Sequence, residues 1–118
     1  VILNQYMERD KAYLEHILDA IEAIEGYTKG FDRDKFTDSM NKMVQDATVR
    51  QLEIIGEAVG KLSDEIKKRN SELSWRDISG MRNKLIHEYF GVDLNVVWSA
   101  VEKDIPFLKK SIRVLIER

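Results

Sequence analysis

The sequence has no cysteine, one proline, six glycines and two histidines among its 118 residues. Without cysteine there is no disulfide framework, no thiolate metal site and no cysteine nucleophile, a usage that suits a reducing cytoplasm. So few glycines and prolines cannot punctuate a β protein. No apolar run approaches the ~18 residues that a membrane span needs, and the opening Val1-Ile2-Leu3-Asn4 is too short for a signal-peptide core. A soluble, cytoplasmic protein with no membrane contact is expected. Gly-rich phosphate loops and serine-nucleophile signatures are absent, and the two histidines and scattered carboxylates lack metal-ligand spacing, so neither metal nor cofactor is expected.

Charge, by contrast, is plentiful and unevenly spread. The 19 basic and 21 acidic side chains give a formal net charge of −2, and hydrophobic residues make up 43%, which argues for one globular domain over residues 1–118. Residues 1–60 carry 7 basic and 12 acidic side chains, whereas residues 61–118 carry 12 and 9. The C-terminal half is therefore the anion-facing half, and any nucleic-acid contact should be local rather than a coating of bulk duplex.

Apolar residues recur at three and four, the period of a helix. Leu14, Ile17, Ile21 and Ile24 form one stripe with an exit at Gly26 and Gly30, which predicts a first helix over roughly residues 3–26. A short segment around residues 34–43 precedes a second long stripe, Val44, Ala47, Leu52, Ile55, Val59, Leu62 and Ile66, expected as one helix kinked near its start. Gly56 and Gly60 place two small positions on one face, where a neighbouring helix can approach closely. Ser74 and Asp77 make a capping-box-like start for a helix through Ile78, Met81 and Leu85 towards Phe90, with Gly91 as its stop. Asp93 caps a last helix with the stripe Leu94, Val97, Val101, Ile105, Leu108, Ile112 and Leu115, kinked by Pro106. The expected fold is all-α, an up-down bundle of four main helices plus a short one.

Few groups can do acid-base chemistry near neutral pH. His16 lies about 200° from Leu14 on the helical wheel, opposite the apolar stripe, and reads as a solvated surface residue. His87 sits in Arg82-Asn83-Lys84-Leu85-Ile86-His87-Glu88-Tyr89, where a base, two cations, an amide and a phenol crowd into two turns. Arg82 falls on the wheel with Ile78, Leu85 and Tyr89, the core-like stripe, and a guanidinium there needs a buried anion, a cleft or a second chain. His87 is about 140° from Arg82 at ~100° per residue. Either the helix is distorted or the site is composite, two subunits lining one groove across a two-fold axis. The row Arg50, Glu53 and Glu57 reads as a solvated ion-paired face. Trp75 and Trp98 read as packing residues, and Arg76 and Lys84 as either phosphate contacts or surface charge.

The runs Ile54-Ile55-Gly56-Glu57-Ala58, Ser74-Trp75-Arg76-Asp77-Ile78, Gly80-Met81-Arg82-Asn83, Leu85-Ile86-His87-Glu88-Tyr89-Phe90, Val97-Trp98 and Asp104-Ile105-Pro106 together resemble the HepT family. These are the HEPN-domain toxins of prokaryotic toxin–antitoxin pairs, and the resemblance covers nearly the whole chain. It implies an all-α HEPN bundle that forms a homodimer, and a metal-independent ribonuclease, acting on tRNA or mRNA, whose motif of Arg, four residues, His, one residue, Tyr corresponds to Arg82, His87 and Tyr89. It also implies a cognate MntA-like minimal nucleotidyltransferase antitoxin that transfers AMP from ATP to the motif tyrosine, here Tyr89. Within that reading Arg82 and His87 are the catalytic pair, Asn83 and Lys84 contact RNA or its phosphate, and no metal takes part. The rival expectation is a non-catalytic helical subunit that binds nucleotide or substrate for a nucleotidyltransferase.

Overall fold

The computed structural model describes residues 2–80 and 91–117, with side chains from Glu8 onward. Every described element is helical. Helix α1, Ile2–Thr28, buries Leu14, Ile17, Ile21 and Ile24, none more than 2% exposed, along the stripe expected from the sequence. Each such side chain contributes roughly 1.5–3 kcal/mol by leaving water. The helix runs through Gly26, and Gly30 ends it instead, at φ +78, the left-handed conformation that favours glycine. The Thr28 hydroxyl donates to the Ile24 carbonyl (2.7 Å) within the last turn.

The short segment resolves into α2, Arg33–Thr37, and a 3-10 turn, Ser39–Asn41. Asp32 and Asp38 cap them, accepting from the backbone N–H groups of Lys35 and Met40. Gln45, buried at the start of α3 (Lys42–Gly60), donates to the carbonyls of Phe36 (2.8 Å) and Asp38 (2.7 Å) and so fixes the end of α2. α3 packs along α1 through Leu52, Ile55 and Val59, all fully buried.

The second stripe is not one helix. α3 stops at Gly60, and Ser63, extended at ψ 156, starts a separate α4, Asp64–Arg69. The cause is tertiary. Asp10 of α1, itself buried, accepts hydrogen bonds from the Ser63 N–H (2.8 Å) and the Ser63 hydroxyl, whose oxygen in turn accepts from the Ile66 N–H (3.3 Å). A buried carboxylate with these partners holds the backbone at residue 63 out of the helical region.

Residues 75–80 form α5, and α6, Leu94–Ser99, follows the Asp93 cap, whose carboxylate accepts from the Asn95 N–H (2.9 Å). α6 joins α7, Ile105–Glu117, through a π turn, Ala100–Asp104, in which the Ile105 N–H donates to the Ala100 carbonyl five residues back. The irregularity expected at Pro106 thus takes the form of a π turn just ahead of it. Proline has no N–H to give, and its ring would press on the carbonyl of residue 102 in a regular α turn. The turn also changes partners, since α6 packs on α2 while α7 packs on α1. Phe36 meets Trp98 with ring centroids 5.3 Å apart. The Arg33 guanidinium donates to Asn95 Oδ1 (3.2 Å) and Ser99 Oγ (3.1 Å), bracing the same α2–α6 contact. Among the described residues no helix is long and apolar enough to cross a membrane.

Candidate active site

Arg82, Asn83, Lys84, His87 and Tyr89 all lie outside the described residues, as does the expected course of that helix beyond Gly80. The structure describes the two ends between which this segment runs. On the approach, the Ser74 hydroxyl donates to the Asp77 carboxylate (2.6 Å), so the capping pair joins side chain to side chain, while the Ile78 N–H closes the first turn on the Ser74 carbonyl (3.1 Å). Trp75 is buried, and its indole N–H is shared between the carbonyls of Lys67 (3.1 Å) and Asn70 (2.9 Å) at the end of α4. Its role is packing, as its place in the sequence suggests.

α5 is also held against α3. A Cβ placed on Gly60 would lie 3.2 Å from Ser79 Oγ, closer than side chains ordinarily sit, so glycine at residue 60 permits the approach. Gly56 is buried in the same helix. On the far side, Asp93 starts α6, and the buried Val97 and Trp98 fasten it to the core. Residues 81–90 are therefore bracketed by a helical turn fixed to α3 and α4 and by a capped helix fixed to α2.

The remaining candidates fall where the helical wheel puts them. His16 is exposed on α1, edge-on to Tyr13 with centroids 6.2 Å apart. Arg50 pairs with Glu53 (3.3 Å), and the exposed Glu57 pairs with Lys61 (3.7 Å), a solvated charged face. Arg76 is exposed. Among the described residues no three histidines or carboxylates converge in a way that could hold a metal ion.

Two clefts along α7 go beyond what the sequence predicts. One, of about 370 Å³, lies between the end of α4 and α7, with Arg69 on one wall and Phe107, Lys110 and Val114 on the other. The second, of about 300 Å³, runs between residues 72–78 and the π turn, and Phe107 lines it too. The signal in the sequence is a second spacing on α7, Phe107, Lys110 and Val114 at three and four, offset from the core stripe.

The fold defines the class: an all-α bundle of the HEPN type, built on the long helices α1, α3 and α7. Residues 17–115 match the family described as Ribonuclease HepT-like, and the chain belongs to that family. It is 46% identical over 112 residues, 94% of its length, to half of a Methanocaldococcus jannaschii protein whose name joins a gamma-glutamylcyclotransferase to a proposed RNase. It is 40% identical over 112 residues to a protein of Caldanaerobacter subterraneus subsp. tengcongensis whose name also proposes an RNase, covering 95% of this chain and 98% of the relative. With the probable ribonuclease HepT of Thermococcus cleftensis it shares 46% identity over 99 residues, 84% of this chain and 88% of the relative. No solved structure matches the chain significantly.

Proposed function

We propose that this chain is an endoribonuclease toxin that cleaves RNA, tRNA or mRNA, without a metal ion, through Arg82, His87 and their neighbours. The observation that carries the reading is the ribonuclease-family match over residues 17–115, the span that contains Arg82-x4-His87-x-Tyr89.

The chemistry needs few parts. A base takes the proton of a ribose 2′-OH, whose oxygen attacks the adjacent phosphorus, and the bond to the 5′ oxygen breaks as an acid protonates it. A 2′,3′-cyclic phosphate and a 5′-OH result. His87 serves as base or acid, and the Arg82 guanidinium offsets the charge that builds on the phosphoryl oxygens. Asn83 hydrogen-bonds substrate or imidazole, and Lys84 adds a phosphate contact. On a regular helix Arg82 and His87 face apart, so a homodimer with one groove supplies both from two chains, and a histidine for each proton transfer.

Control falls to Tyr89. An MntA-like minimal nucleotidyltransferase would present ATP, the phenolic oxygen would attack the α-phosphorus, and pyrophosphate would leave. The AMP then sets a phosphate and a purine beside Arg82, competing for the guanidinium and blocking RNA. The site of action is the cytoplasm.

The test is cleavage of a total tRNA pool in EDTA by the wild type and by His87→Ala, with the chemistry of the product ends determined. Cutting by the wild type that leaves cyclic phosphate and vanishes in the variant is the expected result. If AMP-free wild type cuts nothing, the chain is a non-catalytic partner subunit, and equal cutting by both removes His87 from the chemistry.

A further inference from the structure

Helix α7 has two faces. Ile105, Leu108, Ile112 and Leu115 are buried at three-four spacing against the core. The other face should be the solvated one, yet Phe107 and Val114, seven residues and two turns apart, are 49% and 46% exposed with Lys110 and Ser111 between them. The first cleft runs along this stripe, and across it stand Arg69 and Asn70 at the end of α4, with Glu72 beyond them. Among the described residues neither Arg69 nor Lys110 has a carboxylate within ion-pair distance. Phe107 and Glu72 are shared with the second cleft, which Leu73, Ile78 and Leu108 line together with the carboxylates of Asp77 and Asp104.

An exposed aromatic ring in a cleft lined by two cations and one carboxylate, Glu72, which leaves a net positive charge, matches one nucleotide of a single strand: a phosphate for the cations and a flat base for the ring. A volume of about 370 Å³ is at the small end of ligand clefts, too small for a docked helix and suited to one nucleotide. We propose that this cleft is a substrate subsite for single-stranded RNA, separate in sequence from the Arg82–Tyr89 motif, in which Arg69 and Lys110 hold a backbone phosphate and Phe107 stacks the attached base. The inference rests on the ribonuclease reading and deepens it. Phe107, Arg69 and Lys110 are positioning residues, setting which stretch of RNA lies in the groove.

The experiment measures binding of a fluorescein-labelled, single-stranded 12-mer RNA by anisotropy, in the His87→Ala background so that the probe stays intact, at several salt concentrations. Phe107→Ala is expected to weaken binding about tenfold, the effect of unstacking one base. Arg69→Gln with Lys110→Gln is expected to flatten the slope of log K against log salt by about 0.7 for each phosphate that no longer meets a cation. Lys11→Gln, an exposed cation of α1, serves as a control with unchanged affinity. In the active protein, Phe107→Leu should raise KM for an RNA substrate and leave kcat within about twofold, a split expected when uniform binding is weakened. Unchanged Kd, salt slope and KM in these variants, with wild type still cutting RNA, would overturn the subsite and leave the ribonuclease reading standing. Dissociation of a dimer on Phe107→Ala in sedimentation would overturn it too, since the ring would then belong to an interface between copies. If wild type neither binds nor cuts RNA, both proposals fall together.

Discussion

Asp10 has been carried into the interior to serve one serine. Its carboxylate, 6% exposed, accepts both hydrogen bonds that Ser63 can donate. Asp10→Ala strands the Ser63 N–H and hydroxyl, and we expect a loss of about 1–3 kcal/mol in urea unfolding, with Asp10→Asn losing less because its amide oxygen still accepts. Gly30 is a second such position, where the reason is conformational and not spatial: nothing lies within 4 Å of a Cβ there, but φ is +78. Gly30→Ala should cost about 1 kcal/mol, read as a lower Tm. Gly30 is legible from the sequence because glycine after an apolar stripe is a helix stop; Asp10 is not. An aspartate on the rim of a stripe looks solvated until its partner, 53 residues on, is placed beside it. Gln45 and Thr48 are hidden for the same reason, polar side chains that fold into the core.

At the scale of elements, periodicity locates α1, α3 and α7 because each buries one continuous face, and three-four spacing reports that face directly. It fails at residues 61–63, where Leu62 and Ile66 continue the spacing of α3 although the helix has ended. The local sign is Ser63 followed by Asp64 and Glu65, an N-cap with acidic residues in the first turn, and an apolar count passes over it. The close approach of α3 and α5 gives a measurable coupling. Gly60→Ala forces Ser79 Oγ to yield, so the substitution should be tolerated better in a Ser79→Ala background, with a cycle energy of about 0.5–1 kcal/mol from chemical denaturation. The α2–α6 contact rests on Phe36 and Trp98, and Phe36→Ala should cost about 3–5 kcal/mol and shift Trp98 fluorescence to the red.

For the whole molecule, 51 × 28 × 22 Å in extent, sequence and structure contribute different halves. The motif from Arg82 to Tyr89 is legible as chemistry, an arginine on an apolar stripe beside the one histidine without a solvated explanation, but a sequence cannot show which groups meet across a groove. The structure supplies the fixed ends of that segment and the α7 clefts, which no motif announces. One prediction tests the molecule together with its partner. Tyr89→Phe keeps the ring and removes the nucleophile, so with a cognate nucleotidyltransferase and α-labelled ATP it should take up no label and should still arrest growth when the two are co-expressed; label on the variant would move the acceptor elsewhere.

The π turn between α6 and α7 carries a consequence for insertions and deletions. Its hydrogen bond spans one residue more than that of an α turn, so deleting a single residue between 100 and 104 shortens a bulge without cutting a helix. Phase is nearly kept, because a π turn winds one residue more than an α turn into about the same circuit of the axis, so Trp98 stays against Phe36 and Asn95 near Arg33. Among the described residues, the π turn is a place where the chain can lose one residue in length while α6 keeps its neighbour.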